Sequence, residues 1–160
     1  MNKMPPIEKI YEAYSAISDN RVVMDKDSAK VESSNRTKEY IVTWKGGIYT
    51  SNDNASYCGG HAGYPMISVM MLQGKLTLDR FIVGYFKGIN WTELNVKYKE
   101  KYAKTVSEIM DGLKAGEADY DAIYNHVNEV YKHIELLDIT CKLSSITIKP
   151  PKSSEKPSKS

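Results

Sequence analysis

Lys38-Glu39-Tyr40-Ile41-Val42-Thr43-Trp44, then Lys45-Gly46, then Gly47-Ile48-Tyr49-Thr50, is the stretch that decides the fold. Tyr40, Val42 and Trp44 alternate with Glu39, Ile41 and Thr43, a period of two with one mostly apolar face. That period marks a half-buried antiparallel strand, and Lys45-Gly46 is chain-reversing chemistry. Upstream, residues 21–25 and 29–33 read as two more short strands, set apart by Lys26-Asp27 and Ser34-Asn35-Arg36. Turns this closely spaced predict a meander, with neighbours in sequence adjacent in space.

Before the meander, residues 6–18 predict a helix. Pro6 suits its first turn, Ile7, Ile10, Tyr11, Tyr14 and Ile17 form one apolar stripe, and Asp19-Asn20 ends it. After the meander, residues 51–63 are rich in Asn, Ser and Gly and read as an irregular polar loop. Residues 65–73 follow as a short helix with apolar side chains on nearly every side. It is therefore expected to be buried, with Gly74 as a left-handed cap. Thr77 is the expected N-cap of a helix running to Phe86. Asn90 and Glu93 resemble a capping box that opens one long helix to Ala115. Gly116 ends that helix and Asp119 caps an antiparallel partner to Leu137, whose stripe is Ile123, Val127, Val130, Ile134 and Leu137. Residues 139–149 alternate weakly and predict one or two closing strands on the N-terminal sheet. The fold class is α+β: an N-terminal helix, an antiparallel meander, a buried short helix and a C-terminal helical hairpin packed on the sheet. Residues 1–149 form the expected single domain, and the Lys/Ser/Pro-rich residues 150–160 an expected disordered tail.

Composition narrows the classes of function. At 160 residues, 41% hydrophobic and 26% charged, the chain can bury one core. Its longest apolar run, residues 64–72, is about half of what a bilayer needs. With no basic-then-apolar leader visible, a cytoplasmic location is expected. A net charge of +2 is too small to argue for nucleic acid. Its basic residues are nearly all lysine, Arg21, Arg36 and Arg80 apart, which disfavours base-specific reading by guanidinium forks.

The order strand, turn, strand, polar loop and helix opening with Ile67-Ser68-Val69 resembles the SWIM zinc finger, a short ββα module. The resemblance covers residues 37–74. In that family a Cys-x-Cys pair follows the second strand and a Cys-x-His pair opens the helix. Ser51 and Asp53 stand at the first pair here, Gly63 and Pro65 at the second. Ser51, Gly63 and Pro65 supply no ligand of the usual nitrogen or sulfur kind. The resemblance therefore implies a metal-free descendant.

Three constellations compete for a function. Cys58 and His61, two residues apart, suit half of a zinc site or a thiol nucleophile with its base. Cys141, His126 and His133 lie 65 or more positions later. His126 and His133 stand roughly two helical turns apart, too far to share one ion. No orienting third group is identifiable for the thiol pair, and no cofactor is expected. Lys97, Lys101 and Lys104, interleaved with Tyr98 and Tyr102, could meet phosphates and stack bases. The same tyrosines also fit the helix's own apolar stripe. Asn52, Asn54, Tyr57 and His61 in the polar loop are the candidate contacts to a macromolecule, protein in preference to nucleic acid. The favoured expectation is a non-enzymatic binding or adaptor protein that uses this loop or the sheet edge. A sequence-tolerant nucleic-acid binder using the Lys and Tyr of the long helix and the basic tail is the alternative, and a small metal- or thiol-dependent enzyme at Cys58 and His61 the third reading.

Overall fold

The computed structural model describes residues 1–57, 59–99 and 101–142. Four strands run as the alternation predicts: β1 (Val22–Met24), β2 (Ser28–Glu32), β3 (Glu39–Lys45) and β4 (Ile48–Ser51), each antiparallel to the next. A fifth, β5 (Thr140–Cys141), adds to the outer edge of β4 in parallel, so the sheet is mixed, in the order β1-β2-β3-β4-β5. Residues 143–149, the rest of the expected closing strands, lie outside the described residues, as does the 150–160 tail.

The helix α1 (Glu8–Ser18) is ended by Asn20 in the left-handed region (φ +55°). Among the described residues it is the organising element, packing on α3 (Tyr64–Leu72), α4 (Arg80–Gly84), α6 (Tyr102–Ala115) and α7 (Tyr120–Leu136). As its all-round apolar sequence requires, α3 is buried from Pro65 to Met71, between the sheet and α1. Gly74 follows it at φ +81°, and the Lys75 amide bonds back to the Met70 carbonyl, the backward 6→1 closure that left-handed glycine caps permit. The stripe of α7, with Ile123, Val127, Val130 and Ile134 buried, faces α1 and α4.

Two element boundaries differ from expectation. The cap of α4 is Asp79, not Thr77. Its Oδ1 accepts from the Phe81 and Ile82 amides, while the Thr77 hydroxyl bonds Glu129 and His133 on α7. The long helix is two helices. Asn90 does cap a helix, its Oδ1 accepting from the Glu93 amide, but α5 (Trp91–Lys97) ends after seven residues. Lys99 then takes φ +53° and Lys101 opens α6. The break is held by a cross-helix cluster in which Tyr98 Oη and Lys97 Nζ (2.9 Å) both bond the Glu108 carboxylate. No helix among the described residues is long and apolar enough to cross a membrane.

Candidate functional site: a cleft lined by buried charge

The described residues of segment 51–63 are folded, and several of them face inward. Ser51, Asn52 and Asp53 are buried. Asn52 is therefore not a surface contact. Its Oδ1 accepts from the Ile41 amide at 2.7 Å and extends the β3–β4 pairing past the last strand residue. Asp53 organises the next turn of chain: one carboxylate oxygen accepts from the Ser51 hydroxyl and the other from the Ser56 amide at 3.2 Å. That second bond caps a four-residue helix, α2 (Asn54–Tyr57), in the manner of a short polar N-cap. Ser56 Oγ in turn accepts from the Gly63 amide. Gly63 has an ordinary extended backbone (φ −87°, ψ 178°), so its lack of a side chain is a matter of space. A Cβ there would stand 2.1 Å from Asp53 Oδ2. Positions 53 and 63, which the SWIM resemblance aligns with ligands, thus touch, as a carboxylate against a glycine.

This segment forms one wall of a cleft of about 820 Å³. The other walls come from α1, Arg21 just before β1, the β2–β3 turn with Tyr40 of β3, and α5 with the first residue of α6. Four ionisable side chains on its lining are almost fully removed from solvent: Lys9 (9% exposed), Glu12 (6%), Arg21 (2%) and Asp53 (5%). Lys9 and Glu12, one helical turn apart, pair at 3.4 Å, and the Lys9 ammonium stands 4.0 Å from the centre of the Tyr102 ring. Burial alone would lower the Lys9 pKa, but Glu12 and Tyr102 more than offset it and hold the ammonium above its usual value. Lys9 therefore stays charged. Arg21 donates from Nη1 to the Glu32 carbonyl (2.6 Å) and from Nε to Asp19 Oδ2 (3.4 Å), with its guanidinium 5.8 Å from the Tyr64 ring. Tyr64 crosses Tyr40 edge to face at 6.3 Å. Desolvation, reinforced by Asp53 and Glu12, pushes the Tyr40 hydroxyl up to about 12. Tyr64 is raised well above its usual value for the same first reason, burial. Both phenols remain protonated donors. In the α5 wall, Asn95 Oδ1 is sealed from solvent with no hydrogen-bond partner among the described residues.

The candidates singled out from sequence are only partly brought together. Asn54 (exposed) and His61 (half-buried) both lie on the cleft lining. Tyr57 closes α2, and Cys58 lies outside the described residues. Among the described residues no three His, Cys, Asp or Glu side chains stand close enough to hold a metal ion. Cys141 is buried against Met66, its Sγ 3.3 Å from that thioether, and burial pushes its thiol up to about 11. It packs in the core as an un-ionised thiol. The lysines are divided between two helices. Lys97 is engaged by Glu108, Lys101 begins a new helix, and Lys104 borders a shallow hollow with Glu108 and Asp111.

Sequence reasoning missed Lys9, Glu12, Arg21 and Tyr40. Lys9 and Glu12 sit opposite the apolar stripe of α1, which patterning assigns to water, and only the tertiary fold covers them.

The fold and the cleft together define a small α+β protein with a polar, charge-lined recess between its sheet and its helices. Residues 2–140 match the family model described as uncharacterised conserved protein UCP014422, and the chain belongs to that family. No curated protein and no solved structure matches the chain.

Proposed function

We propose that this chain is a binding protein for a small polar molecule held in the cleft. One observation carries the reading: four buried ionisable groups converge on a single recess. Removing a carboxylate or ammonium from water costs several kcal/mol per ion, and apolar replacements of buried ion pairs are often as stable or more so. Stability alone gives a fold little reason to retain Lys9, Glu12, Arg21 and Asp53 together. A ligand-shaped recess with few, fixed polar groups does. Aromatic rings between the charges add apolar area, and Val96 on the rim, 70% exposed, offers more.

The test is a thermal-denaturation screen of the purified chain against a library of polar metabolites. A ligand at a hundredfold excess over its Kd is expected to raise Tm by about 5–10 °C for a chain of this size. Thr37→Trp, on the exposed rim, is expected to fold normally and abolish that rise by filling the mouth. A Tm unmoved by every compound, or hits indifferent to Thr37→Trp, would sink the reading. The macromolecular contact expected of segment 51–63 remains as a second reading, favoured by the exposure of Asn54 and Val96 at the same mouth. A captured partner released by Thr37→Trp would favour it.

A further inference from the structure

We infer that the cleft recognises an oxyanion, the carboxylate or phosphate of a small organic acid or ester, through Arg21, Tyr40 and Lys38; this rests on the cleft being a ligand site. The argument is a balance of hydrogen-bonding groups on the lining. Its carboxylates are engaged, Asp53 by Ser51 and Ser56 and Glu12 by Lys9; Asn35 Oδ1 receives Ser33 and both the amide and hydroxyl of Thr37, and the unpartnered Asn95 Oδ1 is sealed from solvent. Behind the lining, Asp19 takes the Gly88 amide and Arg21 Nε, and the Glu32 carboxylate takes Arg36.

Donors are left over. Arg21, whose side chain lines the cleft, uses Nε and Nη1, whereas Nη2 makes no bond to the described residues. The Tyr40 hydroxyl has no partner among the described residues, and Lys38 Nζ has no carboxylate within ion-pair distance there. These three belong to one corner of the sheet. Glu32 N bonds the Arg21 carbonyl, Tyr40 pairs with Val31, and the Lys38 carbonyl accepts from Ser33 N. An arginine fork backed by a neutral phenol and an ammonium matches a group of two or three anionic oxygens. A cationic ligand would be repelled by two of these donors, and a purely hydroxylated one would meet them only with neutral oxygens, without charge assistance.

The experiment is an NMR titration of the 15N-labelled chain in a phosphate- and carboxylate-free buffer at constant ionic strength. Sodium phosphate, sodium acetate, glucose and tetramethylammonium chloride are the probes. The Arg21 Nε–H and the amides of residues 33–40 are the reporters. Saturable shifts with phosphate or acetate are expected, and none with the other two; the stronger anion identifies an ester or an acid. Tyr40→Phe, whose lost hydroxyl has no partner among the described residues, is expected to keep the parental Tm and to bind that anion about tenfold more weakly. Glucose or tetramethylammonium shifting these reporters while the anions do not would overturn the anion class and leave the cleft as a ligand site. Absence of saturable shifts from all four probes would overturn the inference. So would undiminished anion affinity in both Tyr40→Phe and Lys38→Met.

Discussion

Replacing Gly63 by alanine adds one methyl group at the point where the cleft wall is most tightly closed. The backbone there suits any residue, so a change in stability would come from volume alone. The added Cβ would lie 2.1 Å from Asp53 Oδ2, 2.8 Å from its Cγ and 3.2 Å from the Ala55 Cβ. The carboxylate has to swing away, losing its bond to the Ser56 amide and the cap of α2, about 1 kcal/mol by analogy with other N-caps. Pushing apart groups in a closed wall adds about 1–3 kcal/mol. Gly63→Ala is thus expected to destabilise by about 2–4 kcal/mol, measured by urea denaturation, with an unchanged slope showing that the same surface unfolds. Asp53→Ala vacates the space the methyl needs, so in a double-mutant cycle the two costs should fall short of additivity by at least about 1 kcal/mol. A Gly63→Ala chain within about 0.5 kcal/mol of the parent, or fully additive costs, would refute the reasoning. Gly84→Ala, in α4 with open space around its would-be Cβ, is the matched control and should not destabilise.

Other substitutions obey the same logic. Asn95→Leu removes a sealed, unpartnered acceptor from α5 and favours the helix, so it should stabilise the chain by about 1–2 kcal/mol, read as a higher urea midpoint. Arg21→Met leaves the Glu32 carbonyl with only the long bond from Tyr64 Oη (3.4 Å) and leaves part of Asp19 unpaired beneath the cleft; a loss of roughly 3 kcal/mol is expected in the same assay. His126 receives or donates one bond with Tyr14 Oη at 2.5 Å, and its Nε2 is buried without a partner among the described residues. Burial holds its pKa below the usual 6.5, against the pull of Asp79 and Glu129. The unfolded chain therefore takes up that proton first as pH falls. Stability from this group is complete above 6.5 and is lost below it. Urea midpoints between about pH 7.5 and 5.0 should show a shallower decline in His126→Gln than in the parent.

The meander was legible because β3 alternates cleanly and each turn carries Gly, Asn or Asp at the reversal, and α3 because nothing polar but Ser68 interrupts it. The break between α5 and α6 was not. Trp91, Leu94, Tyr98 and Tyr102 keep helical spacing straight through it, and the left-handed residue is a lysine rather than a glycine. What stops the helix is tertiary: Glu108, ten residues beyond Tyr98, gathers Lys97 and Tyr98. The 51–63 segment is recognisably irregular in sequence, but its direction is not readable there. Asn and Asp at 52 and 53 read equally as surface polarity or as internal caps, and only the covering of β4 decides between them. The cleft itself escaped because its charged residues come from positions 9, 12, 21 and 53, joined by packing alone.

The parallel pairing of β5 has a bearing on how the chain assembles during synthesis. The Cys141 amide donates to Asn2 Oδ1 at 3.0 Å, and the Lys142 amide to the Tyr49 carbonyl at 2.9 Å. The first four strands can pair as hairpins while the chain is still on the ribosome, but the outer edge of β4 stays open until residue 142 has emerged. Until then a nascent chain exposes a strand edge able to recruit a neighbour.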